Sequence, residues 1–376
     1  MQKRFDYTSL AQSYTARHPL LSYVYIQTSF WIVANILLVV MMDLQFKIFG
    51  QSFDIPMAES TRPFYSVALL LGGVYGISLG ITGYYFDRYS MRKQSLGKVI
   101  VFKVLISFTV LVLLLFVLRF WLYDHIIAPV VNMGNITLSD KAWRYTANLL
   151  MIYYFFMTLV ISFINQVNKK YGPGVLLPLL LGKYRNPVEE DRIFLFMDLK
   201  SSTTIAEQLG HINYSAFIRD CFADINEVLL PMRAQVYQYV GDEIVITWPE
   251  AEGLKHAACL EFYFACRQLF NNRSEFYLSA YGTIPLFKAG LHSGKVTAVE
   301  IGAVKRDIAY HGDTLNTASR IQGVCNEYQQ EILVSASLLG KLELNNGFRT
   351  ISLGKIPLRG KKDPIEILSV HYNAGA

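Results

Sequence analysis

The sequence predicts a chain in two parts: an α-helical transmembrane region with four spans, followed by an α/β domain of the sandwich type. The first observation is composition: apolar residues make up 52% and charged residues only 17% of the chain, below the roughly one quarter usual in soluble domains. The second is distribution, because residues 20–168 are far more apolar than the rest. After residue 189, strand-like and helix-like patterns alternate irregularly, which favours a sandwich over a doubly wound sheet. These patterns include an amphipathic helix expected over residues 251–271, and a strand, a turn and a second strand expected over residues 287–303.

Four stretches are long and apolar enough to cross a bilayer, which takes about 20 residues. They are residues 21–42, 64–85, 100–122 and 145–167. The alternative is a bundle of soluble core helices, but such helices carry a polar face, and these stretches lack one over most of their length. We therefore expect residues 1–168 to form a membrane domain.

The positions of lysine and arginine predict the orientation of the four spans. Basic residues concentrate before the first span, between the second and third, and after the fourth; they include Lys3, Arg4, Arg17, Arg88, Arg92, Lys93, Lys98, Lys169 and Lys170. Under the positive-inside rule, both termini then face the cytoplasm. We expect a multi-pass protein of the plasma (inner) membrane.

Two basic residues, Lys103 and Arg119, lie inside the third span, near its two ends. Snorkelling toward the membrane surface is the favoured interpretation, and ligand binding is the alternative. A receptor or transporter role for the membrane half would need a ligand pocket among the spans, which the sequence does not reveal.

Residues 169–188 are expected to form a linker that couples the two halves. Gly and Pro recur throughout this segment, so no long helix can run through it. An inert linker is the alternative.

The four cysteines all lie in the second half of the chain, without metal-type pairs. They are predicted to be reduced cytosolic thiols in the core; they are Cys221, Cys259, Cys266 and Cys325.

Two aspartates lie where strands are predicted to end. Asp198 closes the apolar strand "RIFLFMDLK", and Asp242 stands at the tip of a hairpin within "VYQYVGDEIVITW". Carboxylates on adjacent strand ends suit a hard cation such as Mg²⁺, which prefers oxygen ligands and substrate phosphates. Ser201, Ser202 and Thr203 then begin a helix, whose free backbone N–H groups suit a phosphate.

Three further polar residues suit a phosphorylated substrate. Asn316 and Arg320 are four residues apart on a predicted helix, so they share one face. Arg320 suits a phosphate or a developing negative charge. Lys361 lies in the basic turn "LRGKK", from which a flexible cation could reach a triphosphate.

Taken together and in order, the segments "FLFMDLKSST", "YQYVGDEIVI", "AGLHSGKV", "GDTLNTASRIQ" and "LRGKKDP" resemble the class III nucleotidyl cyclases. The resemblance covers residues 190–372, and it implies a ferredoxin-like α+β sandwich as the catalytic domain, which we place at residues 189–376. It implies nothing about the membrane half.

The resemblance assigns roles by position. Asp198 and Asp242 match the metal-binding aspartates, with the backbone carbonyl of Leu199 as a further ligand. Asn316 matches the asparagine that orients the ribose, and Arg320 matches the arginine that stabilises the transition state at the α-phosphate.

The remaining matched positions concern the phosphates and the assembly. Lys361 matches the lysine that holds the β- and γ-phosphates, and Lys305 or Arg306 is a looser candidate for another phosphate contact. Family members dimerise head to tail, with the aspartates from one chain and the Asn, Arg and Lys from the other. The resemblance therefore implies a homodimer with two shared sites.

The implied reaction converts ATP to 3′,5′-cyclic AMP and pyrophosphate, with two Mg²⁺ or Mn²⁺ ions per site. The ribose 3′-hydroxyl attacks the α-phosphate, and catalysis is mainly positioning and charge stabilisation. The composition shows no basic stripe with interleaved aromatics, so no nucleic-acid partner is expected.

The base-reading positions depart from the family pattern. Gln238 replaces the usual Lys or Glu, and Ala309 replaces the usual Asp or Thr, so a neighbour such as Tyr310 or His311, or a backbone group, would have to read the base. An amide can donate or accept, so a guanylate or dual-specificity cyclase is the first alternative to an adenylate cyclase. A catalytically inactive nucleotide-sensing domain is the second.

Overall fold

The computed structural model describes residues 18–53, 62–86, 96–117, 119–120, 139–171, 181–304, 306–344 and 347–372. These fall into two compact units, one within residues 18–171 and one from residue 181 onward. The basic N-terminus, most of the predicted linker and Lys305 lie outside the described residues.

The first unit consists of four long helices. They are α1 (Pro19–Phe53), α2 (Arg62–Tyr85), α3 (Leu96–Val117) and α4 (Asp140–Tyr171). All four are long and apolar enough to cross a membrane. α1 and α4 extend beyond the predicted spans at both ends, and the end of the predicted third span, after residue 120, lies outside the described residues.

Glycines bring α2 into close contact with α1. A Cβ atom added at Gly76 or Gly80 would lie 2.5 or 2.6 Å from the Cα atoms of Thr28 and Val24, respectively. In a lipid bilayer the hydrophobic effect does not drive helices together, and small residues at such spacing let helix backbones approach closely.

The second unit is a mixed sheet covered by helices. Its strands are β1 (Val188–Leu199), β2 (Gln235–Val240), β3 (Glu243–Pro249), β4 (Phe287–Ile301), β5 (Asp307–His311), β6 (Ile332–Ser335), β7 (Phe348–Ile356) and β8 (Ile365–Tyr372). The order is β2-β3-β1-β4-β6-β8-β7, and β5 pairs with β4. Its helices are α5 (Ser202–Leu229), α6 (Glu250–Leu254), α7 (Ala258–Asn272), α8 (Ser274–Tyr281), α9 (Asp313–Gly323) and α10 (Ala336–Leu339).

β1 is buried on both faces, as its continuous apolar run predicts. Ile193, Leu195 and Met197 pack in the large core with residues of α5 and α7. Phe194 packs on the opposite face, in a cluster that includes Ala318 of α9. Side chains alternate between faces along a strand, so β1 lies between two helical layers. All four cysteines are buried and free.

Two local predictions were wrong. Residues 287–303 were expected to form a strand, a turn and a strand, but β4 is continuous, because its glycines serve close helix packing instead of a turn. A Cβ at Gly290 would lie 2.2 Å from the backbone N of Gln322 in α9.

The single helix expected over residues 251–271 is also broken. A short 3-10 helix, Lys255–Ala257, separates α6 from α7. The backbone has positive φ at His256 (52°) and Ala257 (51°), a conformation that ends a right-handed helix.

Candidate active site

Asp198 lies near the end of β1, opposite Glu243 of β3 and Lys288 of β4. The Lys288 Nζ atom is 3.1 Å from Asp198 Oδ2. Gln322 of α9 donates a hydrogen bond from Nε2 to the same oxygen, at 3.2 Å. Strand register and helix packing together therefore fix the position of this carboxylate.

Asp242 lies in the turn between β2 and β3, after Gly241, whose φ of 62° suits glycine. The pKa of the next residue, Glu243, depends on the charges around it. Burial raises the pKa of Glu243, Asp198 and Asp242 raise it further, and Lys288 opposes them. Negative charge thus accumulates at this end of the sheet.

This donor set fits a divalent cation that also binds substrate. Carboxylate oxygens are the preferred ligands of Mg²⁺. Among the described residues, no group of three or more His, Cys, Asp or Glu side chains is arranged to hold a metal. The aspartate pair would therefore need substrate phosphates or water to complete a coordination shell. The buried Leu199 side chain is a hydrocarbon without a donor atom, so only the backbone carbonyl of this residue could contribute.

The start of α5 follows directly on β1. Ser201 has a left-handed conformation with φ of 59°, and the helix begins at Ser202. At this end of the helix, the backbone N–H of Ile205 donates a hydrogen bond to the carbonyl of Ser201. The backbone N–H groups of Ser202 and Thr203 precede it, and the first N–H groups of a helix lack intrahelical acceptors.

α9 carries the second group of candidate residues. Asn316 is exposed, and Arg320 lies beside the loop after β7, where a Cβ at Gly360 would be 3.3 Å from Arg320 Nη2. Lys361 in this loop forms an ion pair with Asp313. A hydrogen bond from Lys361 lowers the pKa of Asp313.

The two faces of α9 have different partners. Ala318 and Gln322 lie against Gly290 of β4. Asn316 is two residues before Ala318 and Arg320 is two residues after it, so each is rotated by about 200° around the helix relative to Ala318. They therefore face away from the sheet that carries Asp198, and within one chain the two groups of candidate residues point in different directions.

The predicted base-reading residues lie on β2 and β5. Gln238 is exposed and follows an irregularity in the pairing of β2 with β3. Ala309 is buried and pairs with Val299. The neighbouring Tyr310 is engaged elsewhere: its ring lies 4.6 Å beneath the guanidinium of Arg192 and 5.1 Å from the ring of Tyr237.

Arg306 stands apart from these groups. Its side chain is mostly exposed and lies 3.7 Å from Glu300 Oε1. No contact recorded for the described residues brings it to the carboxylates or to α9.

Residues 187–371 match the family described as the adenylate and guanylate cyclase catalytic domain. The C-terminal half of the chain belongs to the class III nucleotidyl cyclase family. This match confirms the resemblance drawn from the five motifs, and the mixed sheet between helical layers confirms the expected fold class of the cyclase domain.

The relatives of the cyclase domain include enzymes named for either purine. Adenylate cyclase 2 of Rhizobium meliloti is 36% identical over 210 residues, which cover 56% of this chain and 58% of that protein. Guanylate cyclase D of Mus musculus is 26% identical over 193 residues, covering 50% of this chain and 17% of that protein. The chain thus spans less than two thirds of either relative.

Among solved structures, the adenylyl cyclase CyaB from P. aeruginosa aligns with a TM-score of 0.44 and 17% identity. The alignment covers 50% of this chain and 96% of that chain. A bacterial light-regulated adenylyl cyclase aligns with a TM-score of 0.48 and 17% identity, covering 63% and 68% of the respective chains.

Three residues of the cyclase domain lie beside the candidate metal-binding aspartates and were not predicted from the sequence. Lys288 and Gln322 contact Asp198, and Tyr214 lies near Asp242. Burial raises the pKa of Tyr214, Asp242 raises it further, and a hydrogen bond with Ser202 lowers it. The only sequence signal was a lysine inside the apolar strand "FKAGL".

A break in α5 explains how Tyr214 reaches this site. In a straight helix, Ser202 and Tyr214 would be separated by about 18 Å. Gly210 has φ of 71° and interrupts the helix between them. The interruption lets the second part of α5 return toward the helix start.

Proposed function

We propose that this protein is a membrane-anchored adenylate cyclase that converts ATP to 3′,5′-cyclic AMP and pyrophosphate for intracellular signalling. The observation that carries the proposal is the convergence of Asp198 and Asp242 at one end of a sheet, in a domain of the cyclase family. The name of the 36%-identical relative, Adenylate cyclase 2, supports the adenylate reaction.

Asp198, Asp242 and the backbone carbonyl of Leu199 would hold the metal ions. Bound Mg²⁺ or Mn²⁺, two per site, would supply charge to activate the ribose 3′-hydroxyl and to hold the triphosphate. Lys288 and Gln322 keep Asp198 in position before the metal arrives. The backbone N–H groups at Ser201, Ser202 and Thr203 would contact phosphate.

The second group would act on the other side of the nucleotide. Asn316 orients the ribose, and Arg320 stabilises the negative charge that develops at the α-phosphate. Lys361 binds the β- and γ-phosphates and must exchange its ion pair with Asp313 for them. These groups position the substrate or neutralise charge. The ribose 3′-hydroxyl loses its proton as its oxygen bonds the α-phosphate and pyrophosphate leaves, and we assign that proton to water and not to a protein general base.

The orientation of α9 supports a homodimer. Asn316 and Arg320 face away from the sheet, so a site that uses both groups needs a second copy of the chain. A two-fold arrangement makes both copies contribute the same surfaces, which gives two shared sites per dimer.

The four apolar helices would anchor this dimer in the plasma (inner) membrane. The distribution of lysine and arginine supports placing both termini in the cytoplasm, where ATP is available to the cyclase domain. The boundaries proposed for the membrane domain, linker and catalytic domain are residues 1–168, 169–188 and 189–376.

The test uses the full-length chain in lipid nanodiscs, incubated with ATP or with GTP and with Mg²⁺ or Mn²⁺. We expect cyclic AMP, and we expect Asp198→Asn to abolish its formation. Asp191→Asn, at an exposed position of the same strand, is the matched control and should retain activity. A dimeric protein that forms product from neither nucleotide would contradict the proposal.

A guanylate or dual-specificity cyclase is the second candidate, favoured by the exposed amide of Gln238 on β2. Gln238→Lys should shift the ATP-to-GTP ratio of kcat/KM toward ATP by roughly threefold to tenfold, the effect of one hydrogen bond. Gln208→Lys adds the same charge at an exposed position of α5 and should leave the ratio unchanged. An unchanged ratio in Gln238→Lys would show that this position does not read the base.

A further inference from the structure

A buried arginine connects the two strands that carry the candidate base-reading residues. Gln238 lies on β2 and Ala309 on β5, and these strands are not neighbours in the described sheet, because β2 pairs with β3 and β5 pairs with β4. β1 lies between β3 and β4 and carries Arg192, which is 5% exposed. The side chain of Arg192 contacts both β2 and β5.

The contacts of Arg192 suit a guanidinium. Its Nη1 atom donates a hydrogen bond to Oε1 of Gln235 on β2 at 3.2 Å, and its Nε atom donates to Oε2 of Glu190 at 2.8 Å. The guanidinium carbon lies 4.6 Å from the centroid of the Tyr310 ring on β5. A planar guanidinium donates hydrogen bonds in its plane and stacks on a ring with its face, whereas the ammonium of lysine is a compact point charge.

Two tyrosines continue this connection across one face of the sheet. The backbone N–H of Tyr310 donates a hydrogen bond to the Tyr237 hydroxyl at 3.3 Å, and the two ring centroids are 5.1 Å apart. Both rings also pack edge-on against the fully buried Phe194 of β1. Side chains therefore join β2 to β5 across the strands that separate them.

A bulge in β2 places Gln238 on this same face. Gln238 pairs with Val245 of β3, and Tyr237 is the extra residue just before it. Bulges change the direction of side chains and are frequent next to active sites. Val245 and Tyr237 belong to the same side-chain cluster, and residues directly opposite each other in a strand pair share a face. The exposed amide of Gln238 thus lies on the face that Tyr237 and Tyr310 occupy.

The segment before β1 holds the arginine in place. Glu190, its ion-pair partner, lies 3.2 Å from Lys183 Nζ and accepts a hydrogen bond from the Tyr184 hydroxyl at 3.2 Å. The same charges act on the Tyr310 hydroxyl: burial raises the pKa of Tyr310, Arg192 lowers it, and Tyr184 and Glu190 raise it. Arg192 therefore has a fixed orientation before a nucleotide binds.

We propose that Arg192 is a positioning residue for the purine base, which holds β2 and β5 at the spacing that lets Gln238 and the backbone beside Tyr310 contact the base. It acts through Gln235 on one strand and Tyr310 on the other. This role rests on the function proposed above, and it concerns recognition of the base. The candidate phosphate-binding residues at the start of α5 and in the loop after β7 belong to other elements, so a change at Arg192 should leave phosphate binding intact.

Binding without turnover tests this role. The full-length chain in phosphatidylcholine nanodiscs is titrated calorimetrically, with Mg²⁺ present, with 3′-deoxy-ATP, 3′-deoxy-GTP or inorganic triphosphate. The deoxynucleotides lack the attacking hydroxyl and cannot be cyclised. Arg192→Lys should raise the Kd of the tighter-binding deoxynucleotide roughly fivefold to tenfold, about the effect of one hydrogen bond, and should leave the Kd of triphosphate unchanged.

Two comparisons separate positioning from a general loss of structure. Arg349→Lys makes the same exchange at an exposed position of β7 and should bind all three ligands as the wild type does. Tyr310→Leu removes the ring that Arg192 contacts and should weaken nucleotide binding, whereas Tyr310→Phe keeps the ring and should recover the affinity. The two Tyr310 variants provide the test if Arg192→Lys does not fold.

Unchanged nucleotide binding in Arg192→Lys, or an equal loss of affinity for triphosphate, would overturn the positioning role. Binding by Tyr310→Phe as weak as by Tyr310→Leu would overturn it too, because the base would then need the hydroxyl itself. A wild type that shows the expected binding pattern but forms no cyclic nucleotide from ATP or GTP would contradict the proposed reaction alone. A wild type that binds neither deoxynucleotide would contradict both.

Discussion

The ammonium group of Lys288 lies 3.1 Å from the carboxylate of Asp198, which is expected to bind metal. The Lys288 side chain is 16% exposed, and its neighbours on β4, Phe287 and Ala289, are buried apolar residues. The lysine compensates Asp198 while no cation is bound, and it opposes the charge accumulated by Asp242 and Glu243. A bound metal would take over part of this role.

Lys288→Met should therefore destabilise the metal-free C-terminal unit by about 1 kcal/mol, since a partly buried ion pair is lost. Added Mn²⁺ should raise the Tm of this variant more than that of the wild type, because the cation replaces the missing charge. Thermal unfolding of residues 181–376, with and without Mn²⁺, measures both effects.

The control is Lys295→Met, on the same strand but 72% exposed and 3.6 Å from Glu189. It should change neither the metal-free Tm nor the shift with Mn²⁺. Equal Mn²⁺ shifts in Lys288→Met and the wild type would contradict the role given to Lys288.

We expect His292 on β4 to make the free energy of unfolding of the cyclase domain depend on pH. Burial lowers its pKa to about 4, Lys361 and Lys341 lower it too, and Asp313 opposes them. In the unfolded chain, a histidine has a pKa of about 6.5. As the pH falls from about 6.5 to about 4, the unfolded state binds a proton that the folded state does not, so the free energy of unfolding decreases.

We expect His292 to contribute a loss of up to about 3 kcal/mol over this range. His292→Gln should flatten the dependence of the free energy of unfolding on pH between 6.5 and 4, measured by urea titrations of residues 181–376. His211→Gln, at an exposed position of α5, should keep the wild-type dependence. Parallel curves for His292→Gln and the wild type would refute this assignment.

At the scale of elements, β4 is the strand on which the site is assembled. It pairs with β1 and β5 antiparallel and with β6 parallel. α9 crosses it so closely that Gly290 has no room for a side chain. This close approach sets the position of Gln322 against Asp198 and turns Asn316 outward.

Gly290→Ala should destabilise the domain by about 2–3 kcal/mol or prevent folding, because the added methyl group would overlap the α9 backbone. Gly323→Ala, near the end of the same helix with nothing within 4 Å of the new Cβ, should be close to neutral. Thermal unfolding of the two variants makes the comparison. Similar Tm values would contradict the close approach.

What the sequence could predict depended on local signals. The prediction of Asp198 and Asp242 follows from apolar runs that end in a carboxylate, and the prediction of the four helices of the first unit follows from apolar length. The contacts of Lys288, Gln322 and Tyr214 depend on strand register, helix packing and the break at Gly210, which join residues distant in sequence. The continuity of β4 was missed because glycines required for packing resemble a turn.

At the scale of the whole molecule, the proposed function divides the candidate site residues into two half-sites. One half-site contains Asp198 and Asp242, and the other contains Asn316, Arg320 and Lys361. Their different directions on one chain predict that activity requires two chains, and that a defect in one half-site can be complemented by an intact one.

Asp198→Ala and Arg320→Ala should each be inactive as homodimers. Mixed in equal amounts under subunit exchange, they should recover about one quarter of wild-type activity, since half of the dimers are mixed and each keeps one of two sites. Cyclic AMP formation measures the recovery. Asp198→Ala mixed with Asp242→Ala should recover nothing, because both lie in the same half-site, and recovery in that control would contradict the shared-site arrangement.

The strand order also bears on how the chain folds during synthesis. β1 is made soon after α4, yet it lies between β3 and β4, and the second of these partners is made only after α5 to α8. On the ribosome, this apolar strand, which follows the four apolar helices in the sequence, therefore waits with an unpaired edge. Slower translation before β4 would prolong that exposure, so the nascent cyclase domain should be most prone to aggregation or chaperone binding just before residues 287–301 emerge.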